Sequence, residues 1–155
     1  MTLLLECILI CLLMWGICYL NTGSDEKNMK SLRSYPLELQ NLMKDHQVKE
    51  SRKMSVFVSN VVMFGVIELI FGYFMKTDVF VHNFVALLIL GQVLNVFDLV
   101  VIDLMWWRNS PRIRFKDFPD PQLYKDPQQH IDSFKRALIM FTVVALIDGL
   151  ILTLL

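Results

Sequence analysis

Four blocks of apolar residues separated by charged segments constrain this chain more than any other feature. They cover 3–20, 57–74, 79–107 and 137–155. Each comes near or exceeds the roughly 20 residues that a helix, rising about 1.5 Å per residue, needs to cross a hydrocarbon core about 30 Å thick. With hydrophobic residues at 55 % of a 155-residue chain, such clustering is the pattern of a polypeptide whose solvent alternates between lipid and water. The expected fold is all-α: a polytopic membrane protein, a four-transmembrane-helix bundle forming one membrane domain over 1–155.

Orientation follows from the basic residues. Seven Lys and Arg lie between 21 and 55 and seven between 108 and 136, against Lys76 alone in the tether at 75–78. Positive residues stay cytoplasmic, which places loops 21–56 and 108–136 inside and both termini outside. The first block lacks the basic n-region and small-residue cleavage site of a signal peptide, so it reads as an uncleaved anchor.

Within the first loop, Pro36 followed by Leu39, Leu42 and Met43 predicts a short amphipathic helix at the headgroup level. In the second, Trp106, Trp107 and Arg108 suit the membrane interface. The alternating Arg112, Ile113, Arg114, Phe115 and Lys116 suit an extended segment lying on lipid. Asp126 and Pro127 then mark a helix start. With no breaker beyond, one helix of about 43 Å is expected to run to the last residue, its first ten residues extending into the cytoplasm, with His130 and Phe134 packing back over the loop.

A charge near the bilayer centre costs at least about 2.5 to 3.5 kcal/mol on insertion scales, yet Glu6, Glu68, Asp98, Asp103 and Asp148 lie inside the blocks with no Lys or Arg among them. Each must be protonated, wetted, bound to a cation or paired near the interface. Glu6, close to a helix end, reads as wetted, and Asp103 as paired with an interfacial Arg. On a helical wheel Gly91, Gln92, Asn95, Asp98, Ile102, Asp103 and Trp106 share an arc of about 140°, a polar stripe facing protein. Two layers result: Glu6, Glu68 and Asp148 with His82 and Asn83 in the outer half, and Asn95, Asp98 and Asp103 in the inner half, bordered by Arg108, Arg112, Arg114 and His130. Gly65 and Gly72 flank Glu68 and would admit a neighbouring backbone.

Net charge is zero, which gives no general attraction to nucleic acid. Cys7, Cys11 and Cys18 share the first block without a His nearby and read as packing residues, so neither a metal nor a cofactor is expected. Nucleophile elbows, P-loops and zinc-protease motifs are absent, which argues against an enzyme. The run from Leu94 through Asn95, Phe97, Asp98, Asp103, Trp106 and Trp107 to Arg108, with Arg112, Arg114 and His130 after it, resembles small uncharacterised four-helix membrane proteins of Gram-positive bacteria. That resemblance implies a bacterial cytoplasmic membrane and brings no activity.

Three functions remain open. The leading expectation is an accessory subunit, docking on a membrane-protein partner through the small-residue face of Gly65 and Gly72. A second is binding or transport of protons, a cation or a small solute through an interior lined by Gln92, Asn95, Asp98, Asp103, Glu68 and Asp148, in a homo-oligomer because four helices are few for a pathway. The third is recognition of a lipid phosphate by Arg108, Arg112 and Arg114 with His130 at the cytoplasmic face.

Overall fold

A computed structural model describes residues 2–43 and 53–155, and the described residues are helical or irregular, without strand. Its long helices are α1 (Leu3–Leu20), α4 (Lys53–Tyr73), α5 (Phe80–Phe97) and α6 (Gln128–Leu154), with the one-and-a-half-turn helices α2 (Asp25–Lys30) and α3 (Leu37–Leu42) between α1 and α4. Three of the long helical segments are long and apolar enough to cross a membrane, and α4 adds a shorter apolar stretch, Phe57–Tyr73. Large apolar side chains such as Leu12, Val62, Val81, Ile139 and Ile147 are exposed on the outside of these helices. This is the make-up of a multipass membrane protein.

α5 and α6 form the central pair. Leu87, Leu90 and Leu94 of α5 interlock with Phe141, Val144 and Ala145 of α6, and Cys7, Ile10 and Cys11 of α1 complete the same core. Polar groups fasten it. Gln92 donates through Nε2 to the Leu138 carbonyl (3.1 Å), Asn95 to that of Phe134 (3.4 Å) and Asn83 to the Thr153 hydroxyl (2.9 Å). Asn83 also receives the Thr77 amide (2.8 Å) and donates to the Thr77 carbonyl (2.7 Å), which staples the α4–α5 hairpin. Glu6, expected to be wetted, is instead fully buried, because the α1 face carrying Cys7 and Ile10 turns it inward.

Beyond Phe97 the helix widens. Asp98–Trp106 winds with i→i+5 bonding, closing where the Trp107 amide reaches the Ile102 carbonyl. In an α-helix, residues five apart are separated by about 140°, whereas the wider turn brings Asp98 and Asp103 toward one side. The sequence contains no proline or glycine to announce this.

The two long loops are not independent connectors on lipid. Their apolar residues meet in a second core: Leu32, Tyr35, Leu39 and Met43 from the first, Ile113, Phe115 and Tyr124 from the second, seated on Trp107. Tyr35 is its hub, with ring centroids 4.5 Å from Trp107, 5.2 Å from Phe115 and 5.9 Å from Tyr124. Its hydroxyl donates to the Ile113 carbonyl (2.8 Å), and the Tyr124 hydroxyl bridges the Phe115 amide and the Phe118 carbonyl. The extended, lipid-lying segment expected at 112–116 is therefore corrected: Pro111–Ile113 is a 3-10 turn, and Ile113 and Phe115 point into protein. α3 forms where Pro36 precedes it, although Leu42 faces out while Leu39 and Met43 are buried. α6 starts one residue later than anticipated, at Gln128 with Pro127 in the N-cap position, and Asp126 just before it accepts the Gln128 amide at 3.0 Å.

Ile113→Ala is expected to destabilise the protein by about 2–5 kcal/mol, and exposed Lys116→Ala by less than about 0.5 kcal/mol, measured by denaturant titration in detergent. A segment resting on lipid would make both small. Burial raises the Tyr35 hydroxyl above the ordinary phenol value, with the neighbouring Tyr124 and Asp25 adding to it. Because the folded state disfavours tyrosinate, this stabilisation is complete below a pH of about 10 and falls as pH rises beyond it. Tyrosinate absorbance during alkaline titration should show a late step that Tyr35→Phe removes.

Candidate functional site

Between the loop layer and the bundle lies a cavity of about 830 Å³. Its polar wall carries Asn60, Asn95, Asp98, Asp103, His130 and Ser133; its apolar wall carries Met63, Phe64, Leu94, Phe134, Met140 and Phe141. Arg33 from the first loop and Arg136 from α6 also line it. A concave site of this size, largely apolar with a few convergent polar groups, is the usual form of a small-ligand pocket.

Asp103 and His130 form its most ordered polar element. His130 Nδ1 lies 2.9 Å from Asp103 Oδ2, and the side chains are 4 % and 15 % exposed. Trp107 packs edge-on against the imidazole at 4.7 Å. The opposite ring nitrogen, Nε2, is buried with no hydrogen-bond partner among the described residues, and a buried polar atom left unpaired is a position that a bound group can satisfy. Asp103, expected to pair with an Arg, thus pairs with His130, because the first turn of α6 packs beneath the widened end of α5.

The arginines are dispersed rather than gathered. Arg112 closes the end of α1, its guanidinium donating to the carbonyls of Tyr19 (3.2 Å) and Thr22 (3.1 Å) and lying 4.0 Å over the Tyr19 ring. Arg108 donates to the Lys125 carbonyl. Neither they nor Arg114 lines the cavity with His130. Among the expected interior residues, Asn95, Asp98 and Asp103 share the cavity, while Gln92 is spent on α6. Glu68 and Asp148 lie apart, buried where α4, α5 and α6 meet.

The glycine face of α4 is also occupied within the chain. A Cβ added at Gly72 would come within 2.7 Å of Leu152 and Leu87, and one at Gly65 within 3.7 Å of Asp148. The surface expected to receive a partner therefore packs against α5 and α6.

Sequence reasoning passed over Asn60, Ser133, Arg33 and Arg136. Asn60 carried a signal, as an amide inside an apolar block; the others acquire a role through the folding of the loops. Among the described residues no group of three or more His, Cys, Asp and Glu is placed to hold a metal ion. No protein-family model, curated protein or solved structure matches the chain.

A double-mutant cycle with Asp103→Asn and His130→Gln should return a coupling of about 0.5–3 kcal/mol in thermal or denaturant unfolding. Additive effects would mean that the pair contributes nothing to stability.

Proposed function

We propose that the chain is a four-span protein of a bacterial cell membrane, its long loops cytoplasmic, and that the inner cavity binds the headgroup of an amine-bearing phospholipid. Its leading support is the meeting of Asp98 and the Asp103–His130 pair with an apolar wall in one cavity. A carboxylate attracts an ammonium group, the unpaired His130 nitrogen and the Asn60 and Asn95 amides offer further hydrogen bonds, and the Phe and Met wall accommodates the start of an acyl chain. Arg33 and Arg136 give a phosphate oxygen its partners. Fourteen basic residues in the two loops, against Lys76 in the tether, support the orientation. α4 with its 17-residue apolar stretch is the fourth span.

This reading moves phosphate recognition from Arg112, which is tied to the end of α1, and from Arg114, which does not line the cavity, to Arg33 and Arg136. It is preferred to an accessory subunit because the small-residue face on which docking was expected is covered from within.

Protein purified in mild detergent and analysed by mass spectrometry for co-purifying lipid tests the proposal. Wild type should retain phosphatidylethanolamine, and Asp98→Asn should bind it about 10- to 100-fold more weakly, the equivalent of one charge-assisted hydrogen bond. Competition by free phosphoethanolamine would show that the headgroup suffices. Equal retention by wild type and Asp98→Asn would overturn the reading.

A further inference from the structure

Glu68 is fully buried, and neither of its carboxyl oxygens has a hydrogen-bond partner among the described residues. Its position is set by glycine: a Cβ added at Gly91 would lie 2.5 Å from Glu68 Oε1 and 2.7 Å from Phe141 Cδ1. The carboxyl group and the Phe141 ring thus sit together against bare α5 backbone. Asp148 approaches from α6, both its oxygens 3.7 Å from where a Cβ of Gly65 would stand, one turn before Glu68. It is 3 % exposed, and its Oδ2 is likewise unpaired.

Helical side chains slant toward the N-terminus of their helix, so Glu68 leans toward the loop end, where the cavity is. Phe141 belongs to both places, touching the Glu68 pocket on one side and lining the cavity on the other. Phe64, which also lines the cavity, meets it edge-on at 5.1 Å. The aromatic pair stands between a polar cavity and two buried acids.

The charged and titratable groups around Glu68 are few. α6 contributes Asp148. From α5 the adjoining Leu87, Leu90 and Gly91 bring none, and from α1 Cys7 and Cys11 share the core while Glu6 lies nearer the hairpin end. Lys and Arg are absent from 54–75, 77–107 and 137–155. Two carboxyl groups offer too few oxygens for a divalent cation, which takes six or more, whereas a proton needs one.

We propose that Glu68, with Asp148, is a proton-binding site reached from the inner cavity past the Phe64–Phe141 pair, which closes over it as a gate. A proton from cavity water adds to a carboxylate oxygen and leaves by the same route. The site goes beyond headgroup binding and does not depend on it.

Infrared difference spectroscopy of the full chain in lipid nanodiscs reads both parts. Between alkaline and acid pH, wild type should gain a protonated-carboxyl band that Glu68→Gln abolishes. The rate at which that band shifts in deuterated water reports access to the group. It should rise severalfold in Phe141→Ala and in the milder Phe64→Leu, and stay at the wild-type rate in Val143→Ala, an exposed change on the same helix. A carboxyl band indifferent to Glu68→Gln, equal exchange in the gate and control variants, or a band responding to sodium rather than pH would each overturn the proposal. Retention of phosphatidylethanolamine by Glu68→Gln, measured on the same samples, separates this outcome from that of the cavity.

Discussion

Side-chain amides on one helix hold this architecture together. Asn83, Gln92 and Asn95 reach from α5 to α6 at three heights. In a medium with no water to compete, each amide must find a partner inside the chain. An interhelical hydrogen bond in a membrane is worth about 0.6 kcal/mol on average, so three of them contribute less through energy than through register, which they set along the full contact. With that register in place, Gly65, Gly72 and Gly91 fall where α4 and its Glu68 can approach α5 and α6.

The loop layer depends on the same pair from the other side. Trp107 ends the widened segment of α5 and supports Tyr35, while His130, in the first turn of α6, packs against the same indole. Loops, cavity and helix ends therefore share one aromatic contact. Arg112 adds the link to α1 by occupying the carbonyls that the last turn of that helix leaves open, a favourable place for a cation.

Hydropathy alone located the long helices, since the apolar blocks and the observed helices share most of their residues, and Asp126 with Pro127 marked the start of α6 to within one residue. The polar stripe of α5 was legible only in part: Asn95 and Asp98 lie about 60° apart on an α-helix, whereas Asp103 comes round to them through the wider winding of 98–106. What remained hidden was tertiary. Ile113 and Phe115 look like residues for lipid until Tyr35, from a loop 78 residues away, supplies a protein surface for them. Arg112 looks free for phosphate until α1 presents its carbonyls. The i→i+5 winding of 98–106 has no local signature, and Glu68 could be recognised as embedded but not as lying behind Phe141.

The staple at Asn83 has a mechanical meaning. It joins the tether, α5 and α6 at the hairpin end, where Gly72 also packs tightly, whereas Phe57 and Asn60 of α4 border the cavity near the opposite end. α4 is then a lever about 24 Å long from Tyr73 to Phe57, pinned at its short side. A tilt of about 5° about that pin moves Phe57 by about 2 Å, enough to change the volume open to a ligand while leaving the hairpin undisturbed. Displacement about such a pin grows along the helix, so Phe57, 16 residues from Tyr73, would move about three times as far as Glu68, five residues from it.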